Sequence, residues 1–91
     1  MADHVSALKR NRQSLKRQAR NRKVRARVRT FVKKAREALE GTDATAAVSA
    51  ARTAESELAR AARKGVVHPR NAARRASRLA RQAAAKATAK S

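Results

Sequence analysis

Guanidinium and ammonium groups dominate the chemistry open to this chain. Its 91 residues carry 17 arginines and 8 lysines against 6 carboxylates, a formal net charge of +19. The densest run is Lys9, Arg10, Arg12, Lys16, Arg17, Arg20, Arg22, Lys23, Arg25, Arg27, Arg29, Lys33, Lys34 and Arg36, with no acid between His4 and Arg36. An exposed helix that merely faces water intersperses the two signs, because like charges four residues apart repel. Here Arg12, Lys16 and Arg20 stack at that spacing, as do Arg25 and Arg29. Such a stretch gains most from a polyanion, since phosphate neutralisation releases condensed counterions and supplies affinity independent of sequence. The arginine bias sharpens this, because the planar guanidinium grips phosphate bidentately and stacks on bases. A second basic set, Arg70, Arg74, Arg78 and Arg81, recurs at helical spacing, with Arg75 beside it. Both sets, Arg36 aside, are read as phosphate contacts. His68 reads first as a helix-start residue and second as a further contact.

No other chemistry finds its parts. His4 and His68 are the only histidines, cysteine is absent, and no carboxylates cluster near either ring. No metal site or other cofactor is therefore expected. Ser6, Ser14 and Ser77 lack a base at recognisable spacing, and no glycine-rich phosphate loop occurs. The chain reads as a non-enzyme. It holds no run of 18 apolar residues, so no membrane span is expected. Its N-terminus lacks the apolar segment of a secretory signal, although an Arg-rich, acid-free start also describes a mitochondrial transit peptide.

The elements that must position these cations are helices. The 2 glycines and the single proline fall in two short turns, Gly41-Thr42-Asp43 and Gly65-Val66-Val67-His68-Pro69. Everything else is rich in Ala, Arg, Lys, Glu and Gln, the strong helix formers. The expected fold is all-α, a three-helix bundle in one domain over 1–91, with a long N-terminal helix projecting beyond the bundle. The helices are placed at 6–40, 43–64 and 69–86, followed by a frayed tail at 87–91. In the first helix Val24, Val28, Phe31, Val32, Ala35, Ala38 and Leu39 form one apolar stripe. Projected backward at about 100° per residue, that face carries Arg10, Arg17 and Arg20 instead. The front half thus has no face to bury and, free of a polyanion, is expected to be partly unfolded. Gly41 is expected to end the helix in the left-handed region, and Asp43 or Thr42 to cap the second. Its stripe is alanine-dominated: Ala47, Val48, Ala51, Ala54, Leu58, Ala61 and Ala62. Lys33 with Glu37 and Arg36 with Glu40 are candidate surface pairs. His68 is expected to cap the third helix, with Pro69 at its first position and Val67 stapled onto the first turn.

Bulky apolar residues are few, fourteen of Val, Leu, Phe and Met together, so autonomous stability should be weak. A bare basic helix ahead of a bundle, without aromatic platforms, suits folded RNA read by backbone shape. Two other classes stay open: a DNA-condensing, histone-like protein, and a membrane-active cationic helix. The front half lacks the leucine-rich face that the latter needs.

The residues themselves carry a resemblance. SALKRNRQSLKRQARNRKVRARVRTFVKKAREALEGTD (6–43) resembles the N-terminal helix of the bacterial small-subunit ribosomal protein S-twenty family, and KGVVHPRNAARRASRLARQ (64–82) its second turn and third helix. The most specific pieces are Arg29-Thr30 with Lys33-Lys34, Lys64-Gly65 with His68, Ala72-Ala73-Arg74, and Ser77-Arg78-Leu79. One departure is Pro69-Arg70, where many members carry Lys-Asn. The resemblance implies a cytoplasmic structural component of the small ribosomal subunit, bound directly to 16S ribosomal RNA during assembly. It further implies contact with the 5′ domain and the lower part of the long 3′ minor-domain helix. A monomer within the ribosome, with few or no protein partners and no membrane, is the expected state. The basic stretch is continuous with this match, which removes the transit-peptide reading.

Overall fold

The computed structural model describes the backbone of residues 2–90 and the side chains of residues 5–88. Three helices follow one another: α1 (Ala2–Glu40), α2 (Ala44–Arg63) and α3 (Pro69–Lys90). No strand occurs among the described residues. The molecule measures 70 × 20 × 13 Å, because α1 alone, 39 residues long, spans about 58 Å at about 1.5 Å per residue.

Packing begins where the valines begin. Val28, Val32 and Ala35 of α1 meet Ala51, Ala54, Leu58 and Ala61 of α2, and Ala72, Leu79 and Ala83 of α3 close the cluster. Val24, Phe31, Leu39 and Val48 lie half-buried around it. The alanines of α2 let both neighbours approach closely, so α2 packs along α1 and α3 alike. Those two meet each other over only a short stretch.

The turns explain the helix ends. Asp43 caps α2: its Oδ1 accepts from the amides of Thr45 at 3.0 Å and Ala46 at 3.2 Å, supplying partners that first-turn N–H groups otherwise lack. At the other end Gly65 adopts φ +75. Its amide donates to the Ala62 carbonyl, and that of Val66 donates to Ala61, the paired closure of a Schellman motif. His68 opens α3 as expected, its Nδ1 accepting from the Arg70 amide at 3.1 Å.

Three expectations need correction. Gly41 is not left-handed, since Gly65 is the one glycine with positive φ. The Leu39 carbonyl at this end is taken instead by Lys86 Nζ at 2.9 Å, so α1 closes without a left-handed residue. The third helix does not stop at 86. It continues to Lys90, held by that same Lys86 bond and by alanines of high helix propensity; Ser91 lies outside the described residues. The Lys33–Glu37 and Arg36–Glu40 pairs do not form, and both ion pairs among the described residues converge on Glu57. Exposed pairs gain too little in water to hold two long side chains in place.

Leu58 is fully buried, so Leu58→Ala should lower the unfolding free energy by about 2–5 kcal/mol in urea titration followed by circular dichroism. Gly65→Ala should cost about 1–2 kcal/mol for its left-handed backbone. Gly41→Ala should cost less, because its backbone is not left-handed and its new Cβ would lie 3.3 Å from the Ala38 carbonyl oxygen and 3.8 Å from that of Glu37.

Candidate nucleic-acid interface

The cations predicted from the sequence fall into three groups on the fold. The first is the free arm of α1. Every residue from 5 to 20 is exposed, and burial starts only with Asn21, Val24 and Val28. Lys9, Arg10, Arg12, Lys16, Arg17 and Arg20 therefore surround a helix that touches nothing else in the chain, and Arg22 and Lys23 are exposed at its root. Arg10, Arg17 and Arg20, which lie on the backward extension of the buried stripe, are open to solvent with the rest. Between them Val5, Leu8 and Leu15 stand 67%, 48% and 57% exposed.

The second group is the outer face of α3. Ala72, Leu79 and Ala83 turn inward, and the helical period then sends Arg70, Arg74, Arg78 and Arg81 outward, where all four are exposed. No acid lies on this helix. Nothing on its surface competes with phosphate for those guanidinium groups.

The third group forms only in three dimensions. Where α1 leaves the bundle, its Arg25 and Arg29 face Arg75 and Asn71 of α3 across a groove of about 530 Å³. Val28, Val66 and Val67 line the groove as well, together with His68. Sequence spacing could not join these residues, because the connection runs through the packing of both helices on α2.

Arg27 is placed differently from the other candidates. Its Nε donates to Glu57 Oε2 at 2.9 Å and its Nη2 to Oε1 at 3.1 Å, a bidentate pair. The same guanidinium lies 5.2 Å from the Phe31 ring centroid, and Lys34 Nζ lies 5.4 Å from it. Arg60 adds a longer contact to Glu57 at 3.6 Å. Glu57 is the one buried charged residue among those described, 7% exposed. It escaped the sequence reading, although a signal was there. It falls three residues after Ala54 and four before Ala61, inside the buried stripe of α2, where a carboxylate needs a cation. Lys33 and Lys34 are exposed on α1 beyond this pair.

Arg27 holds the Glu57 carboxyl below its ordinary value of 4.5, chiefly through the hydrogen bonds, with weaker coulombic help from Arg60 and Lys64 and partial opposition from desolvation. A depressed acid contributes stability that is present above the unfolded value and lost as pH falls through the folded one. Thermal stability should therefore drop as pH is lowered below about 4.5, and Glu57→Gln should flatten that limb while leaving the arm's charge untouched. An unchanged acid limb in the variant would assign it to other carboxylates.

Among the described residues no three His, Cys, Asp or Glu side chains stand close enough to hold a metal ion. No helix is long and apolar enough to cross a membrane.

Comparison with known proteins agrees with this all-helical, cation-faced geometry. The sequence profile of the family described as Ribosomal protein S20 matches residues 2–84. The chain is 54% identical over 79 residues to the small ribosomal subunit protein bS20 of Maridesulfovibrio salexigens, covering 87% of this chain and 91% of that one. It is 52% identical over 90 residues to the protein of the same name from an Anaeromyxobacter species, covering 99% and 100%. The counterpart from Methylorubrum extorquens is 51% identical over 80 residues, covering 88% and 91%. The arm, the arginine face and these matches lead to one assignment: the chain belongs to the ribosomal protein S20 family, non-enzymatic structural components of the small ribosomal subunit.

Proposed function

We propose that this protein binds 16S ribosomal RNA directly, by phosphate neutralisation, and stabilises the folded form of that RNA during small-subunit assembly. The carrying observation is the arm: sixteen successive residues, 5–20, all exposed and free of any acid. A helix of that charge gains nothing from standing in water and gains much inside a cleft lined by phosphates. The outer face of α3 supplies a second cationic surface, and the 70 Å length lets the two reach separate RNA segments. Charge neutralisation at both then allows those segments to approach each other. By the family resemblance the segments are the 5′ domain and the lower part of the long 3′ minor-domain helix. One copy binds per subunit, with RNA rather than protein as its partner.

The acids support the same orientation. Asp43, Glu55 and Glu57 balance Arg52, Arg60 and Arg63 in and around α2, so the outer side of α2 is the face turned from RNA.

Binding of the full chain to a small-subunit RNA fragment should weaken steeply between low and physiological salt, with a log–log slope of about 0.7–0.9 per phosphate neutralised. Arg74→Ala should reduce that slope by about one unit while leaving helicity intact. A flat salt response, or duplex DNA competing as well as the RNA, would overturn the proposal. Free in solution, amides of residues 6–23 should exchange rapidly and become protected when RNA is added, because no tertiary contact holds that helix.

A further inference from the structure

We propose that the groove at the fork of α1 and α3 seats a single unpaired nucleotide of the bound RNA, its base on the valine floor and its flanking phosphates on the arginine rim. The inference rests on the RNA-binding reading above and names what that RNA must present at this place. Three features of the groove separate it from the rest of the cationic surface.

The first is its floor. Val67 is half-buried and keeps part of its apolar surface open, while Val28 and Val66 beside it are packed into the core at 2% and 9% exposed. A phosphate has no use for such a floor; the α3 face offers guanidinium groups without one, and Leu8 and Leu15 of the arm stand on a lone helix where no second element forms a groove with them. A base does use it, since its faces are apolar and its edges polar.

The second feature is the rim. Arg25 and Arg29 approach from α1 and Arg75 from α3, so cations flank the floor on both sides, as the phosphates on either side of one nucleotide require. By contrast, the groove between α2 and α3 over Ala59, Ala62, Ala73 and Ala76 is apolar and carries Glu55 against its one cation, Arg63. The one near Leu39 and Gln82 is lined by one cation and one acid, Arg36 and Glu40. Neither attracts an anion as the fork does.

The third is the presence of groups that can read an edge. The Asn71 side chain offers a donor and an acceptor together, the pattern that matches adenine at N6 and N7. His68 spends Nδ1 on the Arg70 amide, so its neutral ring carries the proton at Nε2 and offers a donor. The volume, about 530 Å³, falls within the about 300–1,000 Å³ of small-molecule sites. A paired base keeps its face stacked and its pairing edge occupied, whereas bulges and loops splay bases out.

The test uses the full chain and three RNA hairpins at one salt concentration: fully paired, carrying one bulged adenosine, and lengthened by one base pair, which adds two phosphates against the one of the bulge. The bulged hairpin should bind at least about fivefold tighter than the lengthened one. Asn71→Ala, at an exposed position that leaves the charge unchanged, should bring the bulged hairpin down to the affinity of the lengthened one. Equal binding of bulged and lengthened hairpins, or a preference that survives Asn71→Ala, would overturn the groove proposal alone. Failure of all three hairpins to bind would overturn the RNA-binding reading and the groove with it.

Discussion

Two strongly cationic helices repel each other, and the fold is arranged around that repulsion. α1 and α3 share one small apolar cluster but meet over only a short stretch. The nearly neutral α2 lies between them and packs on both. Its inner face is mostly alanine, which brings backbones close and leaves little bulk to bury. Leu58, Val28, Val32 and Leu79 supply most of the large apolar contact. A net charge of +19 works against compaction throughout, and a polyanion sharing that charge would relieve the repulsion.

The buried Glu57 is the local expression of the same constraint. It draws Arg27 across from α1 and Arg60 from its own helix, at the level where α1 starts to leave the bundle. Phe31, the chain's one aromatic residue, lies beneath the Arg27 guanidinium. Together these contacts tie down the root of the arm. Beyond Asn21 every described side chain of the arm, residues 5–20, is exposed. The transition from docked to free therefore has a defined place in the sequence, between Asn21 and Val28.

Much of this was legible in the residues. The two turn signals placed three helices, the valine stripe placed the docking half of α1, and Asp43, His68 and Pro69 marked helix starts by their side-chain chemistry. These are local signals, set within one turn of helix. What escaped the sequence is long-range. Gly41 looked like Gly65, but Lys86, 47 residues away from Leu39, settled how α1 ends. Lys86 likewise carried α3 past the point where its composition suggested fraying. Arg27 looked like its arginine neighbours until the fold set Glu57 opposite it. The fork groove draws on α1, the second turn and α3 together, and only the packed bundle fixes their distance.

The uninterrupted backbone of α1 has a mechanical consequence. No glycine or proline occurs between Ala2 and Glu40, so once the arm is held in helical form it acts as a strut without a hinge. Under the proposed function, capture of the arm by one piece of RNA would fix the direction in which the arginines of α3 point. The second encounter then becomes intramolecular, at an effective concentration set by a stiff spacer instead of by diffusion. Geometry tolerates no slack in such an arrangement. The two RNA pieces would have to lie at the spacing the strut dictates, and the protein would serve as a ruler as well as a counter-charge.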